Sequence, residues 1–90
     1  MEWKYTYAKG IPIEAQYLYR KAMELYTFGQ KERALNLFKQ TLVIAPRYPK
    51  ALFEMGNILA ELGKPEEAIA RYAKAIQIDP SLKDRLEIRI

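Results

Sequence analysis

Apolar positions recur along Pro49–Leu82 at the spacing of an α-helix face. Leu52, Met55, Gly56 and Leu59 follow i, i+3, i+4, i+7, which is one buried stripe. Gly63 is the expected stop, because glycine enters the left-handed cap conformation at little cost. Pro65 suits the first turn of a second helix, and Glu66 and Glu67 favour its positive end. Ala68, Tyr72, Ala75 and Ile76 make that helix's stripe, which Pro80 ends. The stretch therefore predicts a helical hairpin with a glycine turn.

The same grammar precedes it. Residues from about Pro12 predict a long helix with Leu18, Ala22 and Leu25 facing inward and Gly29 as terminator. The segment KERALNLFKQTLVI predicts a second, burying Ala34, Leu35, Phe38 and Leu42, with Pro46 after it. Ser81–Asp84 resembles a capping-box helix start, and Leu82, Leu86 and Ile90 share one face of a short last helix. Residues 1–11 break the pattern. There Trp3, Tyr5 and Tyr7 alternate with polar residues, as in a short extended segment, although a frayed helical turn pairs Trp3 with Tyr7 equally well. Three aromatic rings are costly to leave in water, so they either fold back on the first helix or dock on another molecule.

Laying Ala15–Tyr48 over Pro49–Leu82 needs no gap at a period of 34. Leu18 falls on Leu52, Leu25 on Leu59, Gly29 on Gly63, Glu32 on Glu66, Ala34 on Ala68, Ile44 on Ile78 and Pro46 on Pro80. Similar residues meet at Tyr19 with Phe53, Ala22 with Gly56, and Phe38 with Tyr72. This double match resembles the tetratricopeptide repeat family over residues 15–82. The family's alternation of small and large residues is met by Leu52, Met55, Gly56, Leu59, Ala68, Tyr72, Ala75 and Pro80. The first unit meets it with Leu18, Ala22, Leu25, Ala34, Phe38 and Pro46, and departs at Lys21 and mildly at Thr41. The departure at Lys21 suits an open N-terminal edge.

The resemblance implies an all-α fold of about five helices, with antiparallel helix-turn-helix repeats stacked in a right-handed superhelix, an α-solenoid. The expected division is an aromatic segment over 1–11 and a repeat domain over 12–90, with repeats at 15–48 and 49–82 and a capping helix over 82–90. It further implies a non-catalytic scaffold whose first helices line a concave groove for a peptide or helix. The groove residues carried over are Tyr19, Met23, Tyr26, Lys50, Phe53 and Asn57. Tyr19, Met23 and Tyr26 form a second apolar stripe beside the core stripe of their helix, which must be buried or offered to a partner. The N-terminal aromatics are an alternative filling for that groove. Some relatives clamp acidic chaperone tails with lysine, asparagine and arginine; here Tyr19, Met23, Glu54, Asp84 and Ile88 occupy those places, so a more apolar ligand is expected.

Composition narrows the chemistry. With 90 residues the chain is one modest domain. It has no cysteine and no histidine, which excludes disulfides, thiol nucleophiles and imidazole bases together. Its four glycines stand apart, so no phosphate-cradling loop exists, and Glu66-Glu67 is better explained by a helix start than by acid–base work. No enzyme activity, cofactor or metal is expected. The net charge of +4 is uneven: residues 1–50 hold nine Lys/Arg against four Glu, and residues 51–90 six against seven acids. These charges do not cluster with the aromatics on one face, so no nucleic-acid partner is expected. No apolar run reaches membrane-spanning length and the N-terminus lacks a signal-type apolar region, so no membrane partner and a cytoplasmic location are expected. A rival reading is a homodimer. Two repeats fall short of the roughly three a stable array needs, and a second copy could complete the stack.

Overall fold

The computed structural model describes residues 7–8 and 10–89, with side chains described over 10–86. Five helices are found among them: α1 (Ile13–Thr27), α2 (Lys31–Ile44), α3 (Pro49–Glu61), α4 (Pro65–Ile78) and α5 (Leu82–Arg89). The chain divides into two compact units, residues 1–48 and 49–90. The first holds the α1–α2 hairpin and the second the α3–α4 hairpin followed by α5.

Both hairpins turn by the same device. Gly29 and Gly63 have φ of +81° and +80°. At the first turn the Gly29 amide donates to Tyr26 O and the Gln30 amide to Leu25 O, both at 2.9 Å. At the second the Gly63 amide donates to Ala60 O and the Lys64 amide to Leu59 O, at 3.1 and 2.9 Å. This is the Schellman closure, which satisfies the last carbonyls of a helix through a left-handed residue that an L side chain strains. Pro65 then opens α4 in its first turn, beside Glu66 and Glu67.

The small residues sit where close packing needs them. Ala15, Ala22, Ala34, Ala51 and Ala75 are fully buried and Ala68 nearly so. Phe38 fills the interior of the first unit, and Leu52, Phe53, Met55 and Ile58 that of the second. Thr41, where alanine is expected, is also fully buried, and its hydroxyl donates to Leu37 O one turn earlier at 2.8 Å. The isosteric cost of a buried hydroxyl is thus offset within its own helix. Lys21 is exposed and meets Glu24 at 3.5 Å.

Two local details differ. α1 starts at Ile13, next to the expected start at about Pro12, but Pro12 itself lies before the first turn: its ψ of 145° is extended, and it pairs in a two-stranded antiparallel hairpin, Tyr7 with Pro12 and Ala8 with Ile11. Gly10, with φ +84°, makes the reversal. The first turn of α1 is instead tied back by Gln16 Nε2, which donates to Ile11 O at 2.8 Å. At α5 the hydrogen bonding centres on Asp79, not on a Ser81–Asp84 box. Asp79 Oδ1 accepts from the Ser81 amide at 3.1 Å and the Ser81 hydroxyl at 2.7 Å. This Asx turn holds the chain for the start of α5 at Leu82. The readings for Trp3, Tyr5 and Ile90 lie outside the described residues. No described helix is long and apolar enough to cross a membrane.

Candidate functional site

The residues expected to face a partner fall into three environments. On α1, Tyr19, Met23 and Tyr26 share a face at i, i+4, i+7 and are all half-buried. Tyr19 is held from two sides. Its ring meets Phe38 edge-on, with centroids 5.7 Å apart and planes at 64°, and stacks on Tyr48 at 5.1 Å and 29°. Both are favourable quadrupole geometries. Tyr48 is itself buried, and burial pushes its hydroxyl above the ordinary value of 10.0, a rise that the nearby Arg20 charge opposes. Tyr19, Met23 and Tyr26 thus form a half-buried aromatic and apolar stripe on α1, with Tyr19 braced by two rings.

Lys50 is exposed in the first turn of α3. Phe53 and Asn57 are not. Phe53 is fully buried and Asn57 is 3% exposed, so neither meets solvent in this conformation. Their burial corrects the picture of two side chains projecting outward. Phe53 packs on Tyr72 of α4, ring centroids 5.3 Å apart, and Arg85 of α5 covers it with its guanidinium carbon 4.9 Å from the ring centroid.

Around Phe53 lies a polar chain that α3, α4 and α5 assemble together. The Tyr72 hydroxyl donates to Asn57 Oδ1 at 2.6 Å, and Asn57 Nδ2 donates to Glu54 Oε1 at 3.0 Å. Arg85 Nη2 reaches Glu54 Oε2 at 3.5 Å. Among the described residues no buried side-chain nitrogen or oxygen lacks a partner, so the network is satisfied as the cost of burying polar groups demands. Tyr72 is drawn close over α3 by its hydroxyl bond. A Cβ placed on Gly56 would lie 2.7 Å from two atoms of the Tyr72 ring, nearer than carbon atoms approach. Glycine at 56 is therefore set by the tyrosine above it.

Glu54, Tyr72 and Arg85 were absent from the expected site. For Glu54 a signal is present in the sequence: Glu54 and Asn57 stand three apart inside the otherwise apolar run ALFEMGNIL. Two polar residues at that spacing on a buried helix need a shared partner. Among the described residues no group of acids could hold a metal ion.

The repeat geometry has sequence counterparts. The profile of the tetratricopeptide repeat family matches residues 19–82. The chain belongs to that family. Tetratricopeptide repeats generally mediate protein–protein interaction, and two hairpins of paired helices with matched glycine turns are their building blocks. Among curated proteins, the chain is 32% identical over 79 residues to the small glutamine-rich tetratricopeptide repeat-containing protein 2 of Mycosarcoma maydis, covering 84% of this chain and 22% of that protein. It is 35% identical over 88 residues to the protein adenylyltransferase Fic of Drosophila melanogaster, covering 94% of this chain and 18% of that protein. The corresponding protein of Caenorhabditis briggsae is 34% identical over 61 residues, 68% of this chain and 12% of its own length. The chain thus spans about a fifth or less of these relatives. Adenylyl transfer is named for the Fic proteins as wholes.

Proposed function

We propose that this tetratricopeptide unit is a non-catalytic docking module that binds a peptide or helix of a partner protein along the first helix of each hairpin. Tyr19, Met23 and Tyr26 supply the apolar contact, and Lys50 a charge at the start of α3. Phe53 and Asn57, buried in this conformation, take part only where their cover is moved aside. The observation that carries this reading is the bracing of Tyr19 by Phe38 and Tyr48. A ring already fixed in place loses little entropy on binding, which suits an aromatic anchor. The test is a random-peptide selection on the wild-type chain, followed by titration of the enriched peptides against Tyr19→Ala/Met23→Ala. The double variant is expected to bind about ten-fold more weakly with its helical circular dichroism unchanged. Failure to enrich any sequence, or equal binding by both proteins, overturns the proposal.

A second reading is self-association, and one contrast favours it. Leu35 on α2 is 8% exposed, whereas Ile69, at the same repeat position on α4, is 65% exposed. An apolar residue whose repeat counterpart is buried is a ready contact for a second copy. Sedimentation velocity decides it: a monomer at high micromolar concentration ends this reading.

A further inference from the structure

One side chain of α5 occupies the part of α3 that a partner would need. Arg85 lays its guanidinium 4.9 Å from the Phe53 ring centroid and turns Nη2 toward Glu54 at 3.5 Å. The Glu54 carboxylate is held from its other oxygen by Asn57, and Asn57 in turn by Tyr72. An aromatic face and a fixed carboxylate therefore converge on one planar cation. A guanidinium fits both, since it stacks on a ring while its N–H groups meet an acid; an ammonium is more strongly hydrated and does neither as well.

The two halves of this contact are unequally committed. The Glu54 side chain is 8% exposed and locked in the network, but that of Arg85 is 52% exposed. The ion pair is also long: unconstrained charge-assisted N–H···O bonds settle at about 2.7–2.9 Å. Arg85 belongs to a helix of eight residues whose first residue, Leu82, is buried at 3% exposure, which ties that helix to the unit. An arginine without that tether can approach Glu54 more closely. The first unit has no such arrangement, since Arg20 and Met23 replace Glu54 and Asn57 there.

We propose that Phe53, Glu54 and Asn57 form an arginine-recognition site that Arg85 holds closed in cis, and that an arginine of the docked protein segment displaces it. This rests on the reading that the first helices bind a protein segment, and it names the side chain that α3 receives. The test uses the full chain and N-acetyl-arginine amide as probe, followed by NMR at the Asn57 side-chain amide. Arg85→Ala opens the site. It is expected to bind the arginine probe about three- to five-fold more tightly than wild type does, and more tightly than N-acetyl-lysine amide by a similar factor. Adding Glu54→Gln abolishes the difference. Should Arg85→Ala lose helical circular dichroism, Arg85→Gln keeps the side-chain stem and serves in its place. Equal shifts with the arginine and lysine probes, or equal affinity of wild type and variant, overturn the proposal. The probe carries no segment for α1 to hold, so its failure leaves peptide capture by Tyr19 and Met23 standing. A failed peptide selection likewise leaves the arginine titration to be judged separately.

Discussion

Tyr19 and Phe53 hold the same place in the two repeats, yet Tyr19 is braced by two further aromatic rings and Phe53 lies beside a polar network. In the first, Phe38 and Tyr48 brace Tyr19, and Met23 continues the apolar face. In the second, Tyr72 and Arg85 enclose Phe53, and Glu54, Asn57 and Tyr72 are linked by hydrogen bonds. One hydroxyl separates Phe38 from Tyr72, and it changes the neighbourhood. Having a donor to satisfy, Tyr72 requires an acceptor at 57 and lies close over 56, which must then be glycine. Phe38 makes no such demand, and Ala22 is accommodated fully buried in the corresponding place. A shared backbone plan therefore carries two different chemistries, one adaptable and one geometrically strict.

The largest expected effect breaks the strict one. Asn57→Ala leaves the Tyr72 hydroxyl and one Glu54 oxygen without their bonds, and is expected to cost about 1–3 kcal/mol in urea denaturation. Tyr72→Phe should cost less in that background than in the wild type, with a coupling of roughly 0.5–3 kcal/mol. No coupling would mean that the network is not a unit, and the contrast with the first repeat would fall.

A smaller effect sharpens the link between tyrosine and glycine. Gly56→Ala adds a Cβ against the Tyr72 ring, an overpacking cost of about 1–3 kcal/mol, set against a gain in helix propensity of about 1 kcal/mol. A net loss of about 1 kcal/mol is expected, and it should shrink in Tyr72→Phe, whose ring is released from Asn57. Stabilisation by Gly56→Ala in the wild type would show that the ring moves aside freely.

The smallest effect belongs to the first unit and appears only in alkali. Burial of Tyr48 raises its hydroxyl above the ordinary value of 10.0, against the opposing pull of Arg20. The folded chain thus holds this proton more tightly than the unfolded chain. That contribution is complete below pH 10 and is lost as pH rises through the raised folded value. Melting temperature is expected to fall more steeply above pH 10 in wild type than in Tyr48→Phe. Parallel curves would remove Tyr48 as the cause.

Most of the helical architecture was legible because it rests on local rules. Gly29 and Gly63 announce left-handed caps, Pro65 and its two glutamates announce a helix start, and apolar spacing assigns each inner face. The hairpin formed by Tyr7–Ala8 and Ile11–Pro12 was harder to read. Proline is equally at home in a first helical turn and in an extended edge, and pairing with residues beyond the turn chose the second. The site was legible in part. Tyr19, Met23 and Tyr26 stand out as an extra apolar stripe, whereas Phe53 and Asn57 were placed outward by repeat position alone. They meet Tyr72 and Arg85, which come from further along the chain and leave no trace in the helical periodicity of α3.

The repeat period, the glycine turns, the sites of small residues and the family itself were determined by the sequence alone, since each follows from spacing along one or two adjacent helices. Only the tertiary structure decided which polar residues of α3 are interior and what covers them. A helix presents the same side chains whether a neighbour lies over them or not, and that neighbour is brought in by the packing of α4 and α5.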